Sequence, residues 1–184
     1  MYSPYHLKDL RGCKIKATPL IGYTNDFLGK NMKNGGNCVM IYTEMTMKAI
    51  NIMFKAHKEQ RDKSGLPYVF HPWHVAEQMT DEASCTAALL HDVIEDTDIT
   101  AEYLLGAGIS PEVVEAVKLL THPKDTDYFE YVRGLKQNPI ARAVKLADLR
   151  HNSDPTRTVP DPSEHDIQRR EKYKKAIAIL EEMQ

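Results

Sequence analysis

From Thr43 onward the apolar positions recur at helical spacing, and the residues before it do not share that pattern. Ala49, Ile50, Met53, Phe54 and His57 fall at i, i+1, i+4, i+5 and i+8, one apolar face of a helix that Thr43 or Thr46 can cap. In HPWHVAEQM, Pro72 suits a first-turn position, which puts His71 at the mouth of a second helix. Residues 82–96 read as one acid-bearing helix and 100–105 as a short one. Ser110-Pro111-Glu112-Val113 reads as a cap with proline at N1, opening a helix to about Leu120. Stretches 127–137, 139–151 and 163–183 complete the set. The last carries Tyr173, Ala176, Ile177, Leu180 and Met183 on one docking stripe. The expectation is an all-α helical bundle over residues 43–184, with no internal repeat.

Residues 1–42 differ in kind. They hold five of the nine glycines, the turn cluster KNMKNGGN and two short β-like pieces, CKIKATPLIGY and CVMIY. They read as an appendage, irregular or a small β-hairpin. Charge divides at the same place: six Lys and Arg against two Asp and Glu in 1–42, eighteen against twenty-four in 43–184. An acidic body suits an anionic substrate only if a bound cation reverses the local sign. No basic stripe with interleaved aromatics points to nucleic acid. No apolar run approaches a membrane span, and the N-terminus lacks the apolar core of a signal peptide. Cys13, Cys38 and Cys85 are widely spaced and form no CxxC, so a reducing cytoplasm is the expected compartment.

The chemistry concentrates in LLHDVIEDTD, residues 89–98. On a continuous helix His91 and Glu95 stack one turn apart, as do Asp92 and Asp96, and the preceding Ala87 to Leu90 are core-like. The acids are therefore expected to face the interior or a cleft. His71, the His91-Asp92 pair and Asp148 in VKLADLRHN place two imidazoles and two carboxylates at helix ends. This mixed N/O set suits Mn²⁺, Fe²⁺, Ni²⁺ or Zn²⁺ rather than Ca²⁺ or Mg²⁺. No thiolate belongs to it, which speaks against a closed structural zinc site. Glu95 and Asp96, one turn on, are placed to take a proton from a metal-activated water or pass one to a leaving group. Bland readings stand beside each piece. His57 on its apolar face reads as a packed core residue, His74, His122 and His165 as surface or packing residues, and Asp148 alone as a salt-bridge partner of Lys145 or Arg150.

HKEQRDKSGLPYVFHPWHVAEQM, TAALLHDVIEDTDIT and ARAVKLADLRHNSD together resemble, in order and spacing, the hydrolase domain of RelA/SpoT-type alarmone enzymes within the HD superfamily. The resemblance covers about residues 44–182 and carries no synthetase counterpart. It implies an all-helical HD-domain bundle that binds one Mn²⁺ through His71, His91, Asp92 and Asp148, with Glu95 and Asp96 activating the water. It also implies Asn152 at the nucleotide sugar and Lys63 in a substrate loop. Ser64 and Arg157 complete the candidate substrate-binding set. Two departures stand out. Asp62 occupies the place of the family's basic residue that stacks on the purine, with Arg61 one position early. Leu149-Arg150 inverts the family's Arg-Leu order.

The favoured expectation is hydrolysis of the 3′-diphosphate of guanosine tetra- or pentaphosphate. The alternatives are an HD phosphohydrolase of another nucleotide, such as an adenosine alarmone, a nucleoside monophosphate or NADPH, in an antitoxin role for some relatives, and a non-catalytic regulator. The expected partner is a phosphorylated nucleotide, with a homo-oligomer left open.

Overall fold

The computed structural model describes residues 40–63, 65–154 and 163–182. Its regular elements among these residues are all helices, joined by turns and loops, with one isolated bridge between Arg61 and Pro67. The elements are α1 (Glu44–His57), α2 (Phe70–Ala76), α3 (Glu82–Leu90), α4 (Val93–Asp96), α5 (Ala101–Gly106), α6 (Pro111–Leu120), α7 (Tyr128–Gly134), a 3₁₀ turn (Leu135–Gln137), α8 (Pro139–Ser153) and α9 (Glu164–Glu181). The expected N-terminal appendage lies outside the described residues except for its last few. Of these, Met40 is buried, with its sulfur 3.5 Å from Cys85 Sγ in α3.

Polar side chains at the helix starts fix the boundaries by accepting hydrogen bonds from otherwise unpaired backbone N–H groups. Thr43, not Thr46, caps α1. Thr46 completes a capping box, its hydroxyl accepting from Thr43 N at 2.7 Å. Asp81 caps α3, Thr100 α5, Asp127 α7, Asn138 α8 and Ser163 α9. At α6 Pro111 stands at the first turn as expected, but Ser110 makes no side-chain capping bond.

The core centres on α3. Every residue from Ser84 to Leu90 is buried, and a helix apolar on all sides needs neighbours on all sides. α1, α2, α6 and α8 supply them, and α9 lies over α8 and α7. Fully buried Leu89, Leu90, Val113, Val117, Leu149 and Leu180 interlock here, each side chain contributing about 1.5–3 kcal/mol by leaving water.

The expected face of α1 is rotated. Its buried residues are Thr46, Ala49, Ile52, Met53 and His57, while Phe54 is 55% exposed. His57 is a core histidine as expected, its Nδ1 2.8 Å from Gln60 Oε1 and its ring tilted against Tyr68. A second correction concerns 82–96. The helix is interrupted at His91 and Asp92 and resumes as the single turn α4. Asp92 takes φ −100°, ψ −4°, which turns the chain where the buried run ends. The stretch 127–137 likewise tightens into the 3₁₀ turn after Gly134, and α8 runs two residues past His151.

Candidate metal centre

The interruption after Leu90 brings His91 and Asp92 to one point, and the first turn of α2 and the middle of α8 meet them there. His71 Nε2 lies 3.2 Å from His91 Nε2, 3.7 Å from Asp92 Oδ2 and 3.2 Å from Asp148 Oδ1. His91 Nε2 lies 3.0 Å from Asp92 Oδ2 and 4.0 Å from Asp148 Oδ1. Among the described residues, His71, His91 and Asp92 have ligand atoms all within 4.8 Å of one another, and Asp148 joins through its two imidazole contacts. The four residues expected from the sequence are thus brought together.

A divalent cation fits this set. His91 Nδ1 stands 2.7 Å from the Ala88 carbonyl, which can only accept, so Nδ1 carries the proton and Nε2 turns its lone pair inward. The Tyr68 hydroxyl donates to Asp92 Oδ2. Lys145 Nζ is 3.0 Å from Asp148 Oδ2, and Asn152 Nδ2 donates to Asp148 Oδ1 at 2.6 Å. With both imidazoles neutral, as ligation requires, two carboxylates and one lysine leave the centre a net negative charge in a nearly dry place. A bound cation offsets it, taking the place of the proton that His91 otherwise holds.

The titration shifts have the same origin. For His91, burial alone would lower the pKa, but Asp92 and Asp148 outweigh it and raise it to about 9. For Asp148, burial is outweighed by Lys145 and the two histidines, which hold the carboxyl well below the usual range. Burial, reinforced by Asp92, pushes the Tyr68 hydroxyl far up, so it stays a donor.

The remaining acids are not interior, contrary to the expectation from helical stacking. Glu95, Asp96 and Asp98 are exposed, because the turn at Asp92 swings α4 out to the rim. Glu95 Oε2 accepts from His122 N at 3.0 Å, and the Asp96 carbonyl accepts from Gln60 Nε2 at 3.3 Å. Partial desolvation, then Asp92 and Glu95, raise the Asp96 carboxyl. His122 packs against Tyr128 and Tyr131.

The loop before α2 closes on itself. Asp62 Oδ1 accepts from Leu66 N at 3.0 Å, Gly65 turns the chain at φ +79°, and Arg61 Nη1 donates to Gly65 O at 2.9 Å. Lys63 is exposed on this loop, while Ser64 and Arg157 lie outside the described residues. Arg150 points to α9 and pairs with Glu181 at 2.7 Å, so Lys145 is the basic partner of Asp148. A cavity of about 480 Å³ opens beside the centre, lined among others by Asp62, Leu66, Phe70, His71, His151 and Asp154.

Sequence reasoning missed Tyr68, whose signal was only an aromatic three residues before His71, and Lys145 as more than a bland alternative. It also passed over His151, whose Nδ1 lies 2.8 Å from His71 Nδ1.

The HD domain family profile matches residues 49–157. The chain belongs to the HD domain family. It is 37% identical over 136 residues to the human guanosine-3′,5′-bis(diphosphate) 3′-pyrophosphohydrolase MESH1, covering 66% of this chain and 76% of that protein. It is 38% identical over 112 residues to the bifunctional (p)ppGpp synthase/hydrolase SpoT of Escherichia coli, covering 53% of this chain and 16% of that much longer protein. Among solved structures it is similar to one described as a metazoan ortholog of SpoT that hydrolyses ppGpp. There the TM-score is 0.64 at 28% identity, over 78% of this chain and 89% of the other. An HD domain implies a divalent metal, and His71, His91 and Asp92 form a site that could hold one. Among the described residues no helix is long and apolar enough to cross a membrane.

Proposed function

We propose that the protein hydrolyses the 3′-diphosphate of guanosine tetra- or pentaphosphate, releasing pyrophosphate and GDP or GTP, with Mn²⁺ held by His71, His91, Asp92 and Asp148. The observation that carries this reading is the convergence of two Nε2 atoms and two carboxylate oxygens, each of the four side chains with a hydrogen-bonding partner. MESH1 and SpoT, which the chain resembles, are named for this activity. The bound cation would polarise a phosphoryl oxygen and lower the pKa of a water toward neutrality.

The chain's own groups do the rest. Water oxygen attacks the phosphorus joined to O3′, the P–O3′ bond breaks, and O3′ takes up a proton. Asp96, whose carboxyl is raised at the rim by partial desolvation, then by Asp92 and Glu95, accepts the water's proton and returns it to O3′ as the P–O3′ bond breaks, with Glu95, held by the His122 N–H, beside it. Tyr68 and Lys145 keep Asp92 and Asp148 fixed. Asn152 donates to Asp148 through its amide nitrogen, which leaves its oxygen to accept a ribose hydroxyl. The exposed Lys63 meets phosphate, with Ser64 and Arg157 in the same role. Residues 43–184 act as the hydrolase domain and 1–42 as an appendage to it. A cytoplasmic compartment agrees with the free thiol of Cys85.

A second reading, a phosphohydrolase acting on another nucleotide such as an adenosine alarmone, is favoured by the loop. Asp62 occupies the family's base-stacking position, and Arg61 is bonded back to Gly65. Incubating Mn²⁺-loaded protein with a panel of phosphorylated nucleotides decides between them. Pyrophosphate from the guanosine 3′-diphosphates supports the first reading. Orthophosphate from monophosphates or NADPH, with those compounds intact, overturns it.

A further inference from the structure

His151 lies on α8 at i+3 from Asp148, on the same face as Asn152 at i+4, so one helix supplies a candidate metal-site carboxylate, an amide that holds it and an imidazole that meets His71. We infer that His151 is a positioning residue for the metal centre: its Nδ1 accepts the Nδ1–H of His71 and holds the His71 Nε2 lone pair toward the cation. This rests on a divalent metal occupying the site.

The two Nδ1 atoms are 2.8 Å apart, and the rings are inclined by 31° with centroids 4.9 Å apart. One of the two must donate and the other accept. If His151 donated, the proton of a neutral His71 would sit on Nε2, the atom facing His91 and Asp148 and needed for coordination. Metal binding therefore selects the opposite arrangement, with His71 donating. His91 has the same support from a different source, the Ala88 carbonyl. A ligating imidazole whose other nitrogen is held in this way keeps both its tautomer and its ring orientation.

His151 is itself backed. The His74 ring lies 5.6 Å away, and His74 Nδ1 is 3.0 Å from Glu77 Oε2, while Glu77 Oε1 accepts from Trp73 Nε1 at 2.9 Å. The row from His71 through His151 and His74 to Glu77 thus runs outward from the centre along the cavity wall. The contact from His151 to His71 is a hydrogen bond, whereas the one from His74 to His151 is ring packing, and this distinguishes their roles.

The test measures Mn²⁺ affinity of the whole protein by chelator competition, independent of turnover, with melting of the metal-free forms alongside. His151→Ala is expected to bind Mn²⁺ about 10–100-fold more weakly. His151→Asn places an acceptor oxygen near the position of Nδ1 and should recover affinity to within about threefold of wild type. His74→Ala, which removes packing but no acceptor, should stay within the same range of wild type. An alanine variant that binds as tightly as wild type overturns the inference. So does an asparagine variant as weak as alanine, or a His74→Ala loss equal to that of His151→Ala, since each would mean ring packing alone. A wild-type protein that binds no Mn²⁺ overturns the Mn²⁺ reading itself, a result distinct from these.

Discussion

Asp92 and Asp148 on one side, Glu95 and Asp96 on the other, are the same chemistry placed in two environments. The first pair is largely buried, with side chains 20% and 7% exposed, and each has its own donor: Tyr68 for Asp92, Lys145 and Asn152 for Asp148. The second pair stands at the rim, one acid tied to a loop N–H and the other raised by partial desolvation, then by its acidic neighbours. On the proposed reading, position and partners, not residue type, divide the work. A carboxylate with its oxygens engaged and its charge compensated suits a fixed ligand. One that is exposed and less stabilised as an anion suits proton transfer.

The comparison breaks first if the buried pair is altered. Asp148→Ala would leave Lys145 as a mostly buried cation without its partner, a change that costs on the order of 3–5 kcal/mol when a buried pair is broken. Asp148→Asn preserves shape and isolates the loss of the ligand charge. This variant and His91→Ala should lose bound Mn²⁺ and turnover together, falling below detection, while circular dichroism shows the helices retained. Wild-type turnover by metal-stripped Asp148→Asn protein would overturn the assignment.

At the rim the outcome should be the reverse. Glu95→Gln is expected to keep its metal and lose on the order of a hundredfold in turnover. Metal analysis of the purified variant beside its rate separates the two effects. Loss of metal there would make Glu95 a ligand and erase the distinction between the pairs.

A smaller effect follows from the coupling within the rim pair. Asp96 is raised by partial desolvation, then by Asp92 and Glu95, so its deprotonated form, the one able to accept a proton, is gained at higher pH than for an ordinary aspartate. The acid limb of the pH–rate profile should lie at higher pH than an ordinary aspartate would give. In Glu95→Gln, where one neighbouring negative charge is gone, the Asp96 pKa falls and the residual activity should show that limb moved to lower pH. An unmoved limb would assign it to another group.

How much of this was legible in the sequence also divides along the same line. The four proposed ligands could be read because each has an unusual residue type beside apolar neighbours: His71 before Pro72, His91-Asp92 after Leu89-Leu90, Asp148 after Leu146-Ala147. The helix starts could be read because Thr43, Asp81, Asp127 and Ser163 cap locally. The orientation of Glu95 and Asp96 could not. Helical stacking predicted an interior position, and a single residue at φ −100° redirected them, a departure no periodicity encodes. Tyr68 and His151 escaped for a related reason. Their importance lies in hydrogen bonds made 24 and 80 residues away along the chain. Phe54 shows the limit of a stripe drawn from side-chain type alone: the neighbours of α1 select Ile52 and Met53, and Phe54 faces water.

The smallest expected effect concerns a third acid, Asp62, which belongs to neither pair. A guanidinium stacks on a purine face and also meets phosphate, and a carboxylate does neither. Arg61 does not fill that role in this structure, because its guanidinium is bonded to the Gly65 carbonyl. Base binding should then be loose, with the metal centre and Lys63 supplying most of the hold on the phosphates. Guanosine and adenosine 3′-diphosphate substrates are expected to be cleaved with kcat/KM values within about tenfold, a difference of roughly 1.4 kcal/mol. Asp62 also accepts from Leu66 N, so Asp62→Arg tests charge and loop shape at once. Asp62→Asn keeps an acceptor for Leu66 and removes only the charge. Both variants should lower KM for both bases, the arginine more so if the loop holds. A wild-type guanine preference above about a thousandfold, or weaker binding in Asp62→Asn, would instead make Asp62 a direct reader of the base, accepting from the N1–H and N2–H edge of guanine through the cavity it lines.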